Sequence, residues 1–254
     1  MWNCKGENKI ILRDNNFNGV RRCFTATCWQ VVFFSVLFVF CIVALATEGE
    51  ARTSKQCLAS QISPKIHFNV EGVKTTINRS KTSEQITNFA KSIEAFKPST
   101  KGRLLGLAYT QIHTNLGVEI QGFAVNNTQN CIRLATVRFE FGNKQAEIFV
   151  ARKYRPGTCA YKAILAHEKK HMEINETLQK EYAKKIKKEL QKSANRIRPY
   201  HTKKANEAAK SMANRLVHEM TPFIKEFREA KRKANYKIDT PRSYKRVRST
   251  CGKW

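Results

Sequence analysis

The chain has 254 residues, room for one medium domain with tails and too few for two comfortable ones. A hydrophobic fraction of 41% is enough for a real core. The formal charge of +27, from 47 Lys+Arg against 20 Asp+Glu, bears on partners and solubility rather than on fold. It makes polyanions (lipid headgroups, acidic envelope polymers, nucleic acid) the expected neighbours, with solvated lysine-rich helix faces as the plainer alternative.

Residues 29–46, WQVVFFSVLFVFCIVALA, form an uncharged apolar run. Lys5, Lys9, Arg13, Arg21 and Arg22 precede it, against only Glu7 and Asp14. That bias keeps the N-terminus in the cytoplasm and sends the rest across. Ala44-Leu45-Ala46 is an A-x-A pattern for cleavage after Ala46, and the run is also just long enough to remain as an anchor. Residues 1–47 therefore read as a leader with a signal peptide or signal anchor, and the expected compartment is a bacterial cell envelope, periplasmic or secreted. Of eight cysteines, Cys57, Cys131, Cys159 and Cys251 fall beyond the run, where disulfides persist. Three pairings are open, and none of the four has CxxC spacing.

Residues 48–63 read as a polar tether. Residues 65–70 alternate like a first strand. In 83–96, Ile86, Phe89, Ala90, Ile93 and Phe96 fall at helical spacing, with a cap near Thr82 or Ser83 and a stop at Pro98. Four segments rich in β-formers follow, at 104–113, 118–125, 131–141 and 146–154, punctuated by Gly117, Asn126-Asn127 and Gly142-Asn143. Turn-like links between successive strands predict an antiparallel sheet. Thr158 then caps a long helix to about residue 197, Pro199 breaks it, and a second helix starts near 203. Thr221-Pro222 predicts a new helix start or a kink. The expected fold is thus α+β: a small antiparallel sheet with one packed helix, then a long helical hairpin. The domain spans 64–235, and 236–254 is a basic, mobile tail.

The chemistry lies in His167-Glu168-Lys169-Lys170-His171, an HExxH at the start of the long helix. Histidines four apart stand one turn above each other and can face one ion. Glu168, about 100° around the helix, can address a zinc-bound water instead of the zinc. His167, His171, Ile174, Leu178 and Tyr182 continue as one stripe, so the histidines face the core. Two hydrogen-bonded core histidines would fit that stripe too. A hairpin folded about Pro199 returns residues 226–231 beside the motif, which makes Glu226 and Glu229 the candidate third ligands. Tyr109, Tyr154 and Tyr161 are candidates to stabilise an oxyanion, and nothing in the sequence selects among them. The strand segment 146–154 leads into the motif helix and is the candidate edge for holding a peptide.

The stretch 154–171, YRPGTCAYKAILAHEKKH, resembles a family of bacterial secreted proteins classed as zinc-dependent proteases. Cys131, the strand 132–141 and the motif helix follow the order of that family, and the resemblance covers 65–190. It implies zinc ligation by His167 and His171 and a catalytic role for Glu168. The resulting expectation is a cell-envelope zinc metallohydrolase, a peptidase acting on a peptide or protein. The alternative is a non-catalytic basic module gripping anionic lipid, polymer or nucleic acid, nucleic acid being disfavoured by export.

Overall fold

The computed structural model describes residues 10–13, 56–93, 102–126 and 129–252. The apolar run at 29–46 lies outside the described residues, as does the first half of the tether, 48–55. Among the described residues no helix is long and apolar enough to cross a membrane. The elements, in order, are β1 (Ile10–Arg13), β2 (Lys65–Glu71), β3 (Thr76–Asn78), α1 (Ser83–Ser92), β4 (Gly106–Asn126), β5 (Gln129–Val150), α2 (Cys159–Asn195), β6 (Tyr200–Thr202), α3 (Ala205–Ile238) and α4 (Pro241–Ser249).

The helix starts follow local chemistry. Thr82 caps α1 in a reciprocal capping box with Gln85, and Thr158 caps α2 by accepting from the Tyr161 N–H. The sheet departs from expectation. The four predicted strands are two, β4 and β5, paired antiparallel along almost their whole length. Gly117 and Gly142-Asn143 do not turn the chain. At Gly142 the Glu71 carbonyl of β2 occupies the space a Cβ would need, so this glycine serves close strand pairing. Nor is the sheet antiparallel throughout: β2 and β3 run parallel to β5. Helix α1 stands between β3 and β4, so the early strands are not hairpin neighbours of the later ones and dock on the other side of β5.

A register shift between Glu119 and Ile120 reverses side-chain parity within β5. It lets Ile132 and Leu134 join Val137, Phe139 and Phe141 in one core with α2 and α3. Phe141 meets Phe227 edge-on at 5.1 Å, and each such fully buried side chain contributes about 1.5–3 kcal/mol. A second core gathers Ile86, Phe149, Val150, Ile164 and Met172 around α1 and the start of α2.

The hairpin is longer than Pro199 suggests. Residues 196–204 include β6, which pairs with β5 at 130–132, so α3 begins beyond the end of α2. The register across the hairpin moves accordingly. Lys185 faces Glu226, Asn175 faces Asn235, and the residue level with His171 is Asp239. Pro222 starts no new helix and lies inside α3. Leu216, Met220, Ile224 and Phe227 pack into one core on both sides of it, which outweighs the local cost of proline. Residues 236–252 are not a loose tail. They complete α3, form α4 and are tied to the start of α2 by the Cys159–Cys251 disulfide. The other pair is Cys57–Cys131.

Candidate metal centre

Three donors converge at the open end of the hairpin. His167 Nε2 and His171 Nε2 are 3.3 Å apart, and each lies 3.1 Å from Asp239 Oδ1. Both imidazoles are buried on α2, and Asp239 is the C-cap of α3. His167, His171 and Asp239 form a cluster that can hold a metal ion.

The surrounding groups fix these rings. His171 Nδ1 and Asn235 Oδ1 are 2.6 Å apart, and the Asn235 amide donates to Asn175 Oδ1 at 2.8 Å. A donating Nδ1–H leaves Nε2, once the ring is neutral, as the lone pair aimed at the centre. Tyr244 of α4 donates to Asp239 Oδ1 at 3.0 Å, and its ring lies 5.6 Å from that of His167. The stripe that continues from the histidines is therefore polar. Asn175 and Gln179, not Ile174 and Leu178, are its buried members, and Gln179 bonds Asn143 and the Glu71 carbonyl.

Electrostatics bind the cluster together. Burial pushes the Asp239 carboxyl up, but hydrogen bonds from both imidazoles and Tyr244 outweigh it and hold the carboxyl well below its ordinary value. Burial alone would lower the His171 pKa, and the Asp239 hydrogen bond with the Glu168 charge reverses that into a net rise above 6.5. Burial of the phenol, and then Asp239, raise the Tyr244 pKa, so Tyr244 is a donor at any working pH.

Glu168 is buried and its pKa is raised by desolvation, against the pull of His171 and His167. The Ala108 N–H of β4 hydrogen-bonds it. Gly106 gives it room, because a Cβ there would lie 2.7 Å from Glu168 Oε1 and 2.8 Å from Ile164 Cγ2. Gly106→Ala is expected to displace the carboxylate and lower thermal stability by about 1–3 kcal/mol. Metal analysis should find its ion content intact, since no ligand is touched.

Two cavities meet at this carboxylate. One of about 280 Å³ extends along β4 and α3, and one of about 540 Å³ runs under α4. Gly106, Glu168, Asp239 and Tyr244 line both. The strand beside them is β4. Among the described residues its outer edge is covered only at 117–120, by β1, so the edge over 106–116 is open. The predicted edge at 146–154 is interior, since β5 pairs with β4 on one side and β3 on the other.

The structure brings together His167, Glu168 and His171 and leaves the predicted third ligands out. Glu226 accepts from Lys185 at 2.6 Å and from Tyr182 at 3.2 Å, and Glu229 is exposed. The nine-residue connection containing β6 is the reason, since it slides α3 along α2. Of the three tyrosines, Tyr109 lines the smaller cavity, Tyr154 belongs to the second core, and Tyr161 lies beneath the Arg79 guanidinium. Asp239, Asn235, Tyr244 and Gly106 were not singled out by sequence. One signal was present: Asp239 is the sole acid after Glu229, and Thr240-Pro241 behind it is a helix-start pair. No family model matches the chain, and neither a curated protein nor a solved structure matches it.

Proposed function

We propose that the protein is a zinc-dependent metallohydrolase, a peptidase of the cell envelope. One observation carries this reading: the near-equilateral triangle of Nε2, Nε2 and Oδ1, with edges of 3.1–3.3 Å. Ligands about 2.0–2.1 Å from a tetrahedral zinc are about 3.3 Å apart, and three protein ligands leave one position for chemistry. A bound zinc supplies a Lewis acid and a water acidic enough to ionise near neutral pH. The chain's own groups have distinct tasks. Glu168, at the junction of the cavities, takes a proton from the attacking water and returns it to the leaving amine. The open edge of β4 offers main-chain groups to an extended peptide. Tyr244 steadies Asp239 by donating its hydroxyl to Oδ1.

The leader and the two disulfides support an exported protein. The β1–β4 pairing counts against export, because an anchor at 29–46 would hold residues 10–13 across the membrane from β4 and cleavage after Ala46 would remove them. The rival reading, a basic module gripping an anionic polymer or lipid, rests on the +27 charge. Metal analysis of the purified chain, with peptide-library digestion before and after chelation, separates the two. A hydrolase holds about one zinc and loses cleavage on chelation. A chain with no metal and no cleavage, eluting from a polyanion column only at high salt, is the binder.

Metal uptake should also depend on pH. His171's folded pKa is raised, so its imidazolium stabilises the metal-free fold below 6.5 and that contribution is lost as pH rises through the folded value. Zinc needs the neutral ring, so uptake below that value releases a proton. Competition against a chromophoric chelator should find the apparent zinc affinity rising as pH climbs through that value, because the ring must give up its proton to bind. An affinity that stays flat across that interval would remove His171 from the ligand set.

A further inference from the structure

We propose that the smaller cavity is a subsite for a carboxylate of the substrate, held by Lys231 with Arg228 and Arg232. This rests on the peptidase reading and names what that site selects. The three cations sit on α3 along one wall of the cavity. Its other walls are largely apolar, including Leu104, Leu107 and Ile112. Among the described residues the only acids lining it are Glu168 and Asp239, both committed to the metal centre. Among the described residues no carboxylate pairs with Lys231, Arg228 or Arg232. Lys231 Nζ instead donates to the hydroxyl of Thr110, on the open stretch of β4.

An ammonium in such a place carries an electrostatic cost. Burial, with Arg228 adding like-charge repulsion, pulls its pKa down to about 8. A carboxylate entering between α3 and β4 would relieve the repulsion and satisfy the ammonium's remaining donors, while the apolar walls took its hydrocarbon portion. A neutral amide would gain the hydrocarbon contact and leave the cations unpaired. A peptide lying along 106–116 would bring either its C-terminal carboxylate or an Asp or Glu side chain to this wall. The chemistry is shared, and the source is decided by substrate length and register.

The test uses 3-phenylpropanoate and 3-phenylpropanamide, titrated by NMR into the chelated full chain so that no metal competes for the carboxylate. The acid is expected to bind and to raise the Lys231 ammonium pKa, and the amide to bind at least about 10-fold more weakly. Lys231→Met should weaken the acid about 10- to 100-fold, Lys231→Arg should preserve the preference, and exposed Lys184→Met should change nothing. Equal binding of acid and amide, or a preference that survives in Lys231→Met, overturns the proposal; Thr110→Val, which frees the same ammonium, keeps the question answerable if Lys231→Met does not fold. With the metal restored, two peptide series locate the source: free against amidated C-termini, and Asp/Glu against Asn/Gln within the chain. Discrimination in one series assigns it, and a chain that cleaves both members of each series alike overturns the subsite. Carboxylate binding is read without metal, so it stands or falls separately from zinc content and cleavage.

Discussion

Asp239→Ala is expected to strip the protein of its metal. Loss of a hydrogen bond that merely supports a ligand costs roughly 10- to 100-fold in affinity, and loss of one of three ligands should exceed that. Competition against a chromophoric chelator measures it. Asp239→Asn sharpens the result. The amide keeps the size of the side chain and can still hydrogen-bond an imidazole, but it lacks the charge a dication needs. A cluster held only by hydrogen bonds would tolerate Asn and behave alike with and without zinc. Glu226→Gln and Glu229→Gln should leave affinity unchanged, because Glu226 is occupied by Lys185 and Glu229 is exposed. Zinc retained in Asp239→Ala and lost in Glu226→Gln would mean that the hairpin register in solution differs from the one described.

What the sequence revealed and what it hid divide along a physical line. Local signals held. Thr82 and Thr158 cap where a side-chain oxygen can reach an N–H three residues on, and HExxH places two imidazoles on one face. Those depend on neighbours within one turn. The failures each depended on a distant partner. Gly142 looked like a turn and serves contact with Glu71, distant in sequence but paired with it in the sheet. Pro222 looked like a helix start and is overruled by a core on both sides. The third ligand needed the hairpin register, and that register was set by β6 finding a partner in β5. The basic tail looked mobile because α4 has no buried residues of its own. It is held instead by a disulfide to Cys159 and by Tyr244 on Asp239.

Glu168→Gln is expected to keep the zinc and lose the chemistry. Its carboxylate is outside the donor triangle, so ion content should match the wild type, while kcat on the best library peptide falls about 10²- to 10⁴-fold. The pH profile gives an independent reading. Glu168 must be ionised to accept a proton, so the acid limb of kcat/KM should report the pKa of its carboxyl beside the bound cation. Activity should rise as pH climbs through that value, and the limb should be absent from whatever rate Glu168→Gln retains. Stability should move the other way. A folded-state pKa above the unfolded one means that ionising Glu168 weakens the fold, so the metal-free wild type loses stability as pH rises through that interval. The glutamine variant carries no such penalty, and its metal-free form should melt higher at neutral pH. A carboxylate retained for structure would give the opposite result, a lower melting temperature with activity intact. The two results together would mark Glu168 as a buried carboxylate kept for catalysis at a cost in stability.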